Sequence, residues 1–221
     1  MKNVKVAIAI ASIVLLIPVL YLLKVYPDLP QIIPVHFDGH GKPNDYGDKS
    51  MLLITTSILS VVAMGIFFLL RNIYKIDPKK NVKYNADTYN KIAMALVVFM
   101  VAINIIIISS AVNSSFETGK LLMPLLGIFL AFMGNVMFSL KPNYFVGIRL
   151  PWTLESEDNW RKTHQLAGKI WFAGGLLITI ISLIFNFDFP EFVFFSIITI
   201  MALIPMIFSF LEFRKSKKQQ A

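Results

Sequence analysis

Cysteine is absent from all 221 residues. Its absence removes disulfides, thiolate nucleophiles and cysteine metal sites together. Charge is scarce too: 15% of residues are Asp, Glu, Lys or Arg, against about 25% in soluble domains. Six long apolar runs carry no ionisable side chain in their central parts. Pumps and proton-coupled transporters place such groups there, which argues against that class. There is no Gly-x-Ser-x-Gly, no His-Glu-x-x-His and no phosphate-cradling glycine loop. No internal repeat and no low-complexity tract is visible.

What is present is apolar. Hydrophobic residues make up 56% of the chain and the mean hydropathy is +0.67, a membrane composition. The six runs lie near 4–25, 51–74, 90–112, 121–140, 167–187 and 190–212. A hydrocarbon core of roughly 30 Å needs about 20 helical residues, and backbone polar groups in lipid must be paired within the segment. The sequence therefore predicts an all-α integral membrane protein with six transmembrane helices, residues 1–221 forming one membrane domain. The first run follows Lys2 and Lys5, but its 18 apolar residues from Val6 to Leu23 exceed a signal-peptide core and no small-x-small site follows. It reads as an anchor helix.

The net charge of +8 is a matter of position. Dividing the loops by an even helix count puts 17 Lys and Arg on one side and 4 on the other. That is the positive-inside pattern with both termini cytoplasmic, and it replaces a nucleic-acid reading. The outer side holds seven carboxylates against its four cations.

Two loops are too structured for plain connectors. The outer one, 26–50, carries Pro27, Pro30 and Pro34, which favour an extended path and deny helix. Ile33 to Phe37 alternates enough for a short strand, and Gly39, Gly41, Pro43 and Gly47 supply turns. The result is a small rigid cap on the outer mouth of the bundle. His36, Asp38 and His40 form an alternating N/O/N set, the chain's metal-ligand candidates. The glycines beside His40 disturb the strand geometry such a site needs, so the expectation is an exposed acidic loop with no metal and no cofactor.

The inner loop runs Lys141-Pro-Asn-Tyr-Phe-Val-Gly-Ile-Arg-Leu-Pro-Trp-Thr-Leu-Glu-Ser-Glu-Asp-Asn-Trp-Arg-Lys-Thr-His164. Gly147 and Pro151 make its first half a turn or re-entrant stretch. From Ser156 a helix is expected, with Ser156 as cap and Glu157 and Asp158 in the first turn. Trp160, His164, Gly168 and Trp171 then share one face, His164 being a helix-surface residue between the two indoles. Arg149 is available for a carboxylate or a lipid phosphate. Trp171 reads as an aromatic-belt anchor; Trp152 and Trp160 divide between packing and partner binding.

Asn143-x-x-x-Gly147-x-Arg149-x-Pro151-Trp152-Thr153 followed by Asn159-Trp160-x-x-Thr163-His164 resembles the signature of the SdpI family of bacterial membrane immunity proteins. The outer loop, with Tyr26-Pro27-x-Leu-Pro30-x-x-Ile-Pro34-x-His36, resembles the short domain of unknown function that often precedes it. The two resemblances cover roughly 26–50 and 134–171. They imply a multi-pass protein of the bacterial cytoplasmic membrane, not an enzyme, that protects its cell from a secreted membrane-active peptide toxin. For some members they imply a second task, capture of a transcriptional repressor at the membrane. Asn143, Gly147, Arg149, Pro151, Trp152, Thr153, Asn159, Trp160 and His164 are then the inner partner-binding set. Tyr26, Pro27, Pro30, Pro34 and His36 shape the outer cap. The alternative from another class is a membrane-embedded enzyme acting on lipid or peptide through His164 or the His36 cluster; a lipid or small-molecule carrier is a third.

Overall fold

A computed structural model describes residues 4–38, 43–78, 86–113, 116–185 and 191–220. Six helices in it are long and apolar enough to cross a membrane. They are α1 (Val4–Val25), α2 (Ser50–Ile76), α3 (Ala86–Val112), α4 (Thr118–Met137), α6 (Glu157–Ile184) and α7 (Glu191–Gln220). A five-residue helix, α5 (Pro151–Glu155), lies in the inner loop. Large apolar side chains line the outside of the bundle, among them Ile13 (63% exposed), Val61 (72%) and Phe192 (70%). Such a surface is tolerated against lipid tails and not against water. The protein is an all-α multi-pass membrane protein.

Boundaries follow local chemistry. Helix α2 stops at Asp77, which is extended (φ −70°, ψ 121°), because the next residue is Pro78 and proline disfavours helical geometry in the residue before it. Asp87 lies within the first turn of α3, where a carboxylate is favourable. The largest departure from the expected spans is α6, which begins at Glu157 instead of near 167. The inner-loop helix and the fifth span are one rod, continuous through Gly168.

α1, α2 and α3 pack together, α4 packs on α3 and α6, and α7 lies against α6. Helices joined by short links, α3 with α4 and α6 with α7, are neighbours. The α4–α6 seam is made of small residues. A Cβ added to Gly134 would strike backbone atoms of Phe172 and Gly168, and one on Gly175 would strike the backbone of Ala131 and Gly127. In a bilayer, where apolar burial no longer drives association, such close approach supplies the packing energy. Between α2 and α3, buried Thr56 donates to Asn104 Oδ1 at 3.0 Å, a polar tie inside the bundle. Ser110 bonds within its own helix, to Ile107 O at 2.7 Å, and Ser109 stands 3.4 Å from Tyr21 Oη of α1.

Candidate functional site

The inner segment folds into a knot whose organiser is Asn143. Its Oδ1 accepts from Phe145 N–H at 2.8 Å and Val146 N–H at 2.7 Å, and its Nδ2 donates to Lys141 O at 2.8 Å and Val146 O at 2.9 Å. Both donors and both acceptor positions of the amide are used, and the residue is 2% exposed. The turn it holds leads to Gly147 at φ 115°, a left-handed conformation that glycine alone adopts without strain. Thr153 closes the next turn. Its hydroxyl accepts from Leu150 N–H at 2.9 Å and donates to Ile148 O at 2.8 Å. Ser156 then caps α6 by accepting from Asn159 N–H at 3.2 Å.

His164 locks this knot to α6. Its Nε2 accepts from Ile148 N–H at 3.0 Å, so the hydrogen-bond partners assign the ring proton to Nδ1, which donates to Trp160 O at 2.8 Å. The imidazole stacks on Trp160 with ring centroids 4.0 Å apart and 19° between planes. Trp160 Nε1 donates to Leu140 O at 2.9 Å, tying α6 to the chain just past α4. Both residues are 1% exposed. The expectation of a helix-surface histidine and of an indole available to a partner is therefore corrected: this aromatic pair fills the interior. The reason is non-local. Phe145, Val146, Ile148 and Leu154 fold back over the same cluster that holds Phe67, Ile73 and Tyr89, and together they bury what the helix alone would expose.

A second set of bonds joins the knot to α7 at Ser209. Trp152 Nε1 donates to Ser209 Oγ at 2.6 Å, Ser209 Oγ donates to Asn159 Oδ1 at 3.1 Å, and Asn159 Nδ2 donates to Ser209 O at 2.9 Å. Thr163 adds a bond to Asn159 Oδ1 at 2.9 Å. Trp152 also packs on Phe210 and Phe213 of α7. Trp171 donates to Met201 O at 2.9 Å, which ties α6 to α7. Outside these ties stand Arg149 and Pro151, both exposed. Arg149 Nη1 donates to Tyr144 O at 2.7 Å. Nearby, Lys162 Nζ lies 2.7 Å from exposed Asp158 and 3.0 Å from half-buried Glu212 of α7.

At the opposite end the outer cap is a hairpin of β1 (Ile32–Phe37) and β2 (Pro43–Asp48), antiparallel, with Ile32 opposite Asp48 and Ile33 opposite Gly47. Pro43 and Gly47, expected in turns, lie in this second strand. Pro27 sits in a single 3₁₀ turn over Tyr26–Asp28, so the proline-rich path is extended only from Leu29 onward. Ile33 is fully buried with Leu22, Leu29, Leu52, Ile108 and Ala111, which seats the cap on α1, α2 and α3. Lys49 pins it by donating to Tyr26 O and Leu29 O, both at 3.3 Å, with its ammonium 4.8 Å from the Tyr26 ring centroid. Asp48 accepts from Ser50 N–H at 2.8 Å, and the bonds from Ser50 hold its carboxyl below the usual aspartate value. His36 Nδ1 faces Asn44 Oδ1 at 2.5 Å. Pro30 and His36 are exposed and Pro34 half-buried. His40 lies outside the described residues, and among those described no group of three metal-ligating side chains assembles.

The knot and the cap coincide with two known sequence families. The SdpI/YfhL protein family model matches residues 139–209. A domain of unknown function, DUF1648, matches residues 13–61. The chain is also 25% identical over 173 residues to the immunity protein SdpI of Bacillus subtilis (strain 168), covering 78% of this chain and 80% of that one. By these matches the chain is similar to the SdpI/YfhL family over the inner segment and to DUF1648 over the first helix and the cap. No solved structure matches it.

The SdpI match ends on Ser209, the residue that receives Trp152 and Asn159. Sequence reasoning missed Ser209 and Leu140 as members of the knot, and Lys49 and Asn44 as members of the cap. Only Ser209 left a signal: it is one of few polar residues in an otherwise apolar span, and a polar side chain in a membrane helix turns toward a protein partner.

Proposed function

We propose that this chain is an immunity protein of the SdpI type that protects the cell making it from a secreted, membrane-active peptide toxin. The observation that carries the reading is the likeness to an immunity protein over four-fifths of that relative's length, with both structured loops folded at opposite ends of the bundle. A cap seated on three helices outside and a knot tied to α6 and α7 inside suit recognition at one face and contact at the other.

The alternative of an enzyme acting through His164 has less support. Both ring nitrogens of His164 are engaged and the ring is enclosed by Trp160 and Gly147. A general base must reach the proton it abstracts, and this one faces only its own loop. His36 is held by Asn44. The second task, capture of a cytoplasmic repressor, finds its support in the exposed inner surface of Lys141, Tyr144, Arg149 and Pro151. Arginine with an aromatic neighbour is a frequent interface anchor.

The test is deletion of the gene in its own host. The deletion strain should die at dilutions of the host's spent medium that the parent survives, and re-expression should restore survival. Equal survival of deletion and parent overturns the immunity reading.

A further inference from the structure

Beneath the hairpin, between the outer ends of α2, α3 and α4, lies a cavity of about 490 Å³. Binding pockets for small ligands and side-chain anchors fall in the range of about 300–1,000 Å³. Its wall is apolar, built by Ile33, Phe37, Leu52, Ile106 and Leu122. His36 of β1 and Asp38, the residue after the strand, stand on its lining, as do Thr55 and Thr118. Thr118 is 5% exposed, and its Oγ1 is buried with no hydrogen-bond partner. Buried hydroxyls are nearly always paired. Thr118 is part of the cavity wall, so a ligand that turns this side chain toward the cavity can pair its hydroxyl.

The kind of partner follows from three features. An acyl chain would fill the apolar wall but offers nothing to Thr118, whereas a peptide brings carbonyls and amides with its apolar side chains. The outer loop carries Asp28, Asp38, Asp45 and Asp48 against Lys24, Lys42 and Lys49, within an outer face of seven carboxylates and four cations, and Lys49 is committed to Tyr26 and Leu29. That balance attracts cations and repels anionic headgroups. The cavity also reaches up to the hairpin, past the outer ends of the helices, where an extended chain can enter from water.

We propose that this cavity binds an apolar side chain of the secreted peptide, that a polar group of the peptide bonds Thr118 Oγ1, and that cationic residues of the peptide lie against the cap carboxylates. This rests on the immunity reading and names the place where it operates.

The test uses the full-length protein in its host, with the peptide fraction of the host's spent medium as probe. Thr55→Trp and, separately, Leu122→Trp fill the cavity; either should lower the killing dose at least tenfold relative to wild type at equal membrane abundance. Thr118→Val keeps the shape and removes the hydroxyl, and should lower it about threefold to tenfold. A benzoyl-phenylalanine at position 122 should form an adduct of peptide mass, lost when Thr55→Trp is added. If a filled variant reaches the membrane and protects as wild type does, or if the adduct is a phospholipid, the proposal falls while the immunity reading stands. If wild type gives no protection yet the peptide adduct forms and is lost on filling, the cavity stands and the immunity reading falls. If neither occurs, both fall.

Discussion

Gly147 and His164 share one space. At Gly147 the backbone turns through φ 115°, and a Cβ there would collide with His164 Nε2 and sit 3.2 Å from the Trp160 ring. The absence of a side chain lets the loop close onto the imidazole, and the imidazole in turn receives Ile148 N–H. Gly147→Ala meets both penalties: a strained conformation costing about 1–3 kcal/mol and displacement of the stacked pair. The variant should lose membrane abundance, and its thermal midpoint in detergent should fall by several degrees. An unchanged midpoint would show that the loop has another way to close.

Ser209 of α7 links two residues, Trp152 of α5 and Asn159 of α6, and its contribution is measurable as coupling. Ser209→Ala leaves Trp152 Nε1 without its acceptor and should cost about 1–3 kcal/mol. Trp152→Phe removes the same bond from the other side. The double variant should cost less than the two singles added, with a coupling of about 0.5–3 kcal/mol, read from thermal unfolding in detergent. Simple additivity would mean the indole and the hydroxyl act separately.

Two helical glycines invite the same substitution with opposite results. Gly134 faces backbone atoms of α6, whereas a Cβ on Gly65 of α2 meets nothing within 4 Å. Gly134→Ala should part α4 from α6 and destabilise the bundle. Gly65→Ala should be neutral or stabilising by up to about 1 kcal/mol, since it removes only backbone entropy. Equal effects at the two sites would contradict the seam described for α4 and α6.

Much of this fold was legible because it is local. Apolar length marks the six spans, Ser156 with Glu157 and Asp158 marks the start of α6, and Ile33 to Phe37 marks β1. The strand β2 was not legible: Pro-Asn-Asp-Tyr-Gly-Asp has little strand preference, and β1 recruits it through backbone pairing. The site was half legible. The residue set Asn143 to His164 stood out by composition, but its internal order depends on bonds across 16 to 57 residues, such as Ile148 with His164 and Trp152 with Ser209. A polar loop with tryptophans looks the same in sequence whether its indoles face a partner or its own core. Burial decided that, and burial is tertiary.

Orientation is tested by reporters. The 17-to-4 division of Lys and Arg predicts both termini inside. Alkaline phosphatase fused after Asp45 should be active and fused after Lys80 silent. The reverse pair would turn the bundle over and put the cavity under the hairpin on the cytoplasmic side.

Arg149 and Trp160 separate contact from architecture within one motif. Arg149 is exposed and spends one guanidinium nitrogen on Tyr144 O, while Trp160 is 1% exposed and tied to Leu140. Arg149→Ala should leave membrane abundance and toxin survival near wild type and reduce any reporter that depends on repressor capture. Lys in its place should restore that output only in part, because it lacks the planar fork that Arg presents. Trp160→Ala should remove a buried ring and a hydrogen bond at once, costing about 3–5 kcal/mol, so the protein should be depleted from the membrane before any signalling is measured. If Arg149→Ala is depleted as well, the knot is structural throughout. If Arg149→Ala persists in the membrane but survival collapses, the inner face serves protection directly and the two tasks are not divided between the ends of the bundle.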